Sequence, residues 1–190
     1  MDDSTVVPAR HKLGVNEYHR MVGAGIFGED DRIELIDGDL IDMAPIGQGD
    51  AAIVSGLAEA LFMASVGRAI VWPQNPIRLD NLNETQPDLA VLRRRSDFYA
   101  TGEQPGPADV LLLVEVADSS LGFDRNVKLP LYARAGIAEL WIVDLKRRLL
   151  DAYRTPAGDG YRETTTHQPG DQLALVLAPD IVVKLDLVFG

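Results

Sequence analysis

Two strongly apolar stretches stand out along the chain, each carrying a single acid. Residues 110–117 read VLLLVEVA and residues 87–92 read PDLAVL. Short aliphatic runs bounded by turn residues predict buried strands. A third such run, ELWIVDL, covers 139–145. Further upstream, DRIELIDGDLIDM alternates between apolar and polar positions around Asp37-Gly38, the signal of a β-hairpin. Helical spacing covers Asn16 to Ala24, with Tyr18, Met21 and Val22 on one side and glycines closing it. It returns over Asp50 to Val66, where Ile53, Leu57, Leu61 and Ala64 share a face and Gly67 is a natural stop.

Ala69 to Trp72 and Pro76 to Leu79 read as strands that their prolines confine to edges or bends. After the 110–117 strand a helix runs to about Ala135 and is closed by Gly136. Short strands follow at Leu149 to Tyr153, Gly160 to Thr166, and around Leu173 and Val183. The order predicts one α/β domain over residues 1–190, with a mixed central β-sheet flanked by helices and extra short strands toward the C-terminus. Residues 1–14 read as a loose leader.

Composition narrows the function classes. There is no cysteine, which removes disulfides and thiolate zinc sites. No stretch is apolar enough for a signal peptide or a membrane span, so a soluble cytoplasmic protein is expected. Walker, dinucleotide-glycine, HExxH and GxSxG motifs are absent. His11, His19 and His167 are scattered, and His19 reads as a helix-surface residue. The net charge of -11 argues against a broad electrostatic grip on nucleic acid. Arg93, Arg94 and Arg95 are the one basic cluster, and its plain reading is a solvated loop start.

The two interrupting acids carry the candidate chemistry. Asp88 opens its strand and Glu115 lies near the end of its own. Alternation puts Leu111, Leu113, Glu115 and Ala117 on one face. If the two strands are antiparallel neighbours, the acids approach each other. A close pair of carboxylates needs a proton or a cation between them. Hard oxygen ligands suit Mg²⁺, and the expected chemistry is phosphodiester hydrolysis. Lys128 joins the pair if its helix is capped at Asn126, which leaves Pro130 in the first turn. Taken singly, these residues have plainer readings. Asp88 caps a turn after Pro87, Lys128 is a surface residue paired with Asp124, and Glu34 belongs to a solvated hairpin face.

The order Pro87-Asp88, then a strand with Glu115, resembles the PD-(D/E)XK nuclease superfamily. More closely, ELIDGDL, QNPIRL, QPDLAVL, VEVADSS, KLPLYARAGI and ELWIVDL are similar to the Uma-two family of restriction-endonuclease-like proteins, from about Asn16 to the C-terminus. The resemblance implies a mixed sheet flanked by helices and a Mg²⁺-dependent nuclease site, with Mn²⁺ as a substitute. Asp88 and Glu115 would be metal ligands, Glu34 an auxiliary acid, and DNA the substrate. The superfamily lysine two residues after the acid is missing, since Ala117 stands there, and the resemblance gives that role to Lys128 on the next helix. A homodimer is expected, since such nucleases often pair two sites. The readings left open beside a DNA endonuclease are a non-catalytic interaction module of the same fold and a metal-dependent hydrolase of small phosphoesters.

Overall fold

Six strands in the order β10-β9-β8-β7-β6-β3 form the central sheet. A computed structural model describes residues 10–28, 31–43 and 47–189. In chain order the elements are α1 (Val15–Gly23), β1 (Ile33–Ile36), β2 (Asp39–Asp42), α2 (Gln48–Ser65), β3 (Ala69–Pro73), β4 (Ile77–Arg78), β5 (Glu84–Thr85), β6 (Leu89–Arg93) and β7 (Val110–Ala117). Then come α3 (Leu121–Phe123), a π turn (Asp124–Lys128) and α4 (Leu129–Arg134), which run on as one helix. The chain ends with β8 (Glu139–Asp144), β9 (Leu149–Ala157), β10 (Gly160–His167), β11 (Gln172–Leu175), β12 (Ala178–Lys184) and α5 (Asp186–Phe189). Mixed α/β architecture is therefore as the hydrophobic pattern predicts, and strand β7 has the predicted bounds.

The sheet is mixed because one of its joints contains a helix. β7 pairs parallel with β8, a connection that needs a crossover, and the helix over 121–134 supplies it. The remaining joints are antiparallel. On one face, α2 packs Val54, Leu57 and Leu61 against Leu89, Val91, Val114 and Val143. On the other, α4 packs Leu131 and Tyr132 against Ala90, Leu92, Leu113 and Ile142. Both faces being covered explains why the central strands read as continuous apolar runs.

The predicted alternation along β7 fails at one residue. Val91 pairs with Leu112 and Leu92 with Val110, so Leu111 is an extra residue in a β-bulge. Leu111 and Leu112 consequently both join the α2 side of the core, while Leu113 turns toward α4. Glu115 keeps its place with Leu113, because the bulge lies upstream of both.

A second sheet, ordered β2-β1-β5-β4, stands beside the first. Its β1–β2 hairpin turns at Asp37 and Gly38, both with positive φ (47° and 75°), as the Asp-Gly pair predicts. Leu13 N–H donates to Gly38 O, and Lys12 Nζ lies 2.5 Å from Asp39 Oδ2. The end of the expected leader is thus fastened to the hairpin, and residues 1–9 lie outside the described part. Among the described residues no helix is long and apolar enough to cross a membrane.

Candidate active site

Asp88 immediately precedes β6, whose Leu89 pairs with Val114 of antiparallel β7, so Asp88 falls beside Glu115. The conditional sequence argument is met: the strands are neighbours and their acid-bearing ends meet. Asp88 does not simply cap a local turn. Its Oδ2 accepts a hydrogen bond from Val116 N–H across the strand joint at 2.8 Å. Burial and the nearby Glu115 carboxylate push the Asp88 carboxyl up to about 7.

Lys128 is 2% exposed, which overturns its reading as a surface residue. Its Nζ lies 3.0 Å from Glu34 Oε1 and 3.2 Å from Glu115 Oε1. Burial disfavours this ammonium, but Glu115 and Glu34 outweigh that cost and hold the lysine protonated. Nor is Glu34 on a solvated hairpin face, being 2% exposed. β1 pairs with β5, where Leu35 lies opposite Glu84, and on its face the Glu34 side chain meets the buried Lys128 instead of water. Glu34 Oε1 also accepts Gln86 N–H at 3.1 Å, and burial raises the Glu34 carboxyl.

The route by which Lys128 reaches the acids also differs from expectation. No helix begins at Asn126; the helix starts after Ser120 and widens into the π turn Asp124–Lys128, where Leu129 N–H bonds back to Asp124 O. Pro130 has no amide hydrogen to donate, and its ring crowds the carbonyl four residues back. A widened turn just ahead of it removes that conflict without ending the helix. Such π turns recur at functional sites, and this one buries Asp124 and Lys128 together.

Two members of the site were not singled out from the sequence. Asp124, 2% exposed, accepts a hydrogen bond from Ser120 Oγ at 2.8 Å, and burial together with Glu115 pushes its carboxyl up to about 7. Tyr132 OH donates to Glu115 Oε1 at 2.6 Å and lies 3.3 Å from Thr85 Oγ1; burial and Glu115 raise its phenol well above the usual range. Their signal was the spacing: Asp124, Lys128 and Tyr132 recur every four residues on one helix, so a single face presents all three to the sheet.

The charge balance distinguishes this cluster from an ordinary buried ion pair. Glu139, fully buried in β8, is satisfied at both oxygens: Oε1 accepts from Arg154 and Trp141 Nε1, and Oε2 from Val176 N–H. Glu34 Oε2, by contrast, is buried without a hydrogen-bond partner. Around Lys128 stand the carboxyls of Glu34, Glu115, Asp124 and Asp88, and two of them are raised to about 7. A divalent cation held by hard oxygens fits that surplus. Among the described residues no three His, Cys, Asp or Glu side chains are arranged to hold a metal ion, so the fit rests on the Asp88–Glu115 pair.

The basic cluster lies elsewhere. Arg93 ends β6 and Arg94 and Arg95 follow it, about 16 Å from Asp88 at ~3.3 Å per residue. Arg95 pairs with Asp97 at 2.7 Å and stacks over Tyr99, while Arg94 stacks over Phe98. His19 is an exposed residue of α1, as its spacing suggested, and its Nε2 reaches inward to within 2.8 Å of the buried Glu84.

A mixed sheet whose helical crossover brings a lysine to an acid pair on adjacent strands belongs to the restriction-endonuclease-like class of folds. The profile of the Uma2 family, described as "Putative restriction endonuclease", matches residues 15–187, and the chain belongs to that family. Its fold is similar to the crystal structure of a "putative nuclease belonging to DUF820" from Anabaena variabilis ATCC 29413. That likeness has 15% identity and a TM-score of 0.70, and covers 93% of this chain and 97% of the other. No curated protein matches the chain. Family and fold together indicate a restriction-endonuclease-like nuclease.

Proposed function

We propose that the protein is a metal-dependent endonuclease hydrolysing phosphodiester bonds in DNA, with Asp88 and Glu115 holding Mg²⁺, for which Mn²⁺ can substitute. The observation that carries this reading is the buried Lys128 ammonium set against Glu34 and Glu115 amid more carboxyls than it can neutralise. Mg²⁺ takes one or two carboxylates and keeps several waters, which suits an acid pair better than a closed cage would. When bound, the ion supplies positive charge for a phosphoryl oxygen and lowers the pKa of a water.

The chain's own groups hold the geometry. Val116 N–H orients Asp88, and Tyr132 OH orients Glu115. Glu34 fixes the Lys128 ammonium and is the auxiliary acid, with Oε2 free to bind. Lys128, desolvated and already in place, offsets negative charge as it develops on the phosphate, and such preorganised charge acts more strongly away from water. It also takes the role for which Ala117, buried in the sheet, leaves no lysine. A homodimer would bring two such sites to two strands, and sedimentation of the purified protein tests that part separately.

Plasmid cleavage in Mg²⁺ is expected from the wild type and is expected to disappear in Asp88→Asn and in Glu115→Gln. Full activity in both variants overturns the reading. Calorimetric titration of Mn²⁺ should show binding to the wild type that Glu115→Ala loses. The net charge of -11 favours a second reading, hydrolysis of smaller phosphoesters. Cleavage of a chromogenic phosphodiester with plasmid left intact selects it, and cleavage of neither selects a non-catalytic interaction module.

A further inference from the structure

Behind the acid cluster, between α1 and the second sheet, lies a cavity of about 470 Å³ that the site as described does not use. We infer that this cavity receives an unpaired nucleobase of the DNA substrate, an assignment that rests on the nuclease reading above. Its volume is within the usual range for ligand pockets. Its wall is shared with the acid site, because Thr85 and Gln86 line it. Thr85 Oγ1 lies 3.3 Å from the Tyr132 hydroxyl that holds Glu115, and Gln86 N–H holds Glu34. An occupant would therefore sit one residue away from the groups that position the acids.

The lining chemistry selects the class of occupant. Tyr18 and His19 bring two rings 5.7 Å apart to the cavity. Tyr18 is anchored by its hydroxyl on Ile33 O at 2.8 Å, and His19 by Glu84. Rings held this way are stacking platforms, which accept any base because every base has a π-face. The side-chain oxygen of Gln104 is buried in this wall with no hydrogen-bond partner. A terminal amide can offer either end to the donor–acceptor edge of a base. The described lining includes Asp31 and Glu84 but no Lys or Arg. That sign of charge repels a phosphate and admits a neutral ring. An intact duplex keeps base faces stacked and pairing edges bonded, so the occupant is a base from an unpaired or opened strand.

The test is equilibrium binding in EDTA, where the wild type meets single-stranded oligodeoxyadenylate, its duplex with oligothymidylate, and an abasic oligomer of equal length. Single strands with bases should bind most tightly. Gln104→Ala and His19→Ala should each weaken that binding about tenfold while leaving the abasic affinity unchanged. His19→Ala strips the buried Glu84 of a partner, so Gln104→Ala is the cleaner arm, and unchanged far-UV circular dichroism certifies both folds. Equal affinity for base-bearing and abasic strands, no binding at all, or variants that bind like wild type overturns the assignment. Plasmid cleavage that Asp88→Asn abolishes, alongside unaffected cavity variants, leaves the nuclease reading standing and removes the cavity. Base-dependent binding without cleavage of any substrate does the reverse.

Discussion

Lys128 sits where a charge is hardest to keep, and the cost of removing it measures what it balances. Replacing it with Met leaves Glu34 and Glu115 buried without their shared cation. Breaking a buried pair from one side costs roughly 3–5 kcal/mol, because the remaining charge stays desolvated. Lys128→Met should therefore lose about that much in urea denaturation at neutral pH. The loss should shrink when Glu34→Gln is added, since the double variant strands one fewer carboxylate. A single-variant loss below about 1 kcal/mol would mean that water reaches the cluster and that Lys128 is not preorganised. The sequence showed Asp88, Glu115 and Lys128 as candidates, but it could not show this burial. Each residue had a plausible local explanation, and only the strand pairing and the crossover helix make the three one site.

At the scale of elements, the β1–β2 hairpin is what delivers Glu34. Gly38 holds φ at +75°, and a Cβ there would stand 2.7 Å from Lys12 Cβ and 3.2 Å from Leu13 O. Gly38→Ala thus combines left-handed strain with a clash against the segment that fastens the hairpin. A cost of about 2 kcal/mol is expected, and it should lower Tm by roughly 4–8 °C. Calorimetry reads that shift directly, and an unchanged Tm would mean that the 12–13 segment gives way freely. Here the sequence was transparent, since Asp-Gly between alternating strands dictates the turn. What it could not convey was the partner of the hairpin. The face that carries Glu34 would meet water but for Lys128, which lies far along the sequence in the crossover helix. The π turn was hidden for a related reason. Pro130 announces a disturbance, and a capped helix start at Asn126 is the local answer, whereas the continuous helix finds room by widening one turn. The bulge at Leu111 lies inside an unbroken apolar run, where no polar residue marks the change of face.

For the whole molecule, the acid surplus couples folding to pH and, on the proposed site, to metal. Asp88 and Asp124 have folded values near 7, above the ordinary aspartate value of about 4. The folded state thus holds more protons than the unfolded chain between about pH 4 and 7, and stability from these two groups falls as pH rises through that window. It is fully present below about pH 4 and fully lost above pH 7. Other acids shift the opposite way, Asp97 among them at about 2, so the total curve is not diagnostic but a difference is. Asp124→Asn keeps an oxygen for Ser120 and cannot ionise. Its Tm should exceed that of the wild type by several degrees at pH 8 and match it near pH 4, in metal-free buffer. On the proposed site a bound divalent ion needs Asp88 deprotonated, so the apparent Mn²⁺ affinity should climb about fivefold between pH 6 and 7, about tenfold by pH 8, and level off above. Thermal shift with and without Mn²⁺ across that range checks both expectations in one experiment. Stabilisation by the ion should be small at pH 6 and large at pH 8. An ion effect independent of pH would place the metal away from Asp88, and an Asp124→Asn variant less stable than wild type at pH 8 would mean that this carboxylate is already paired.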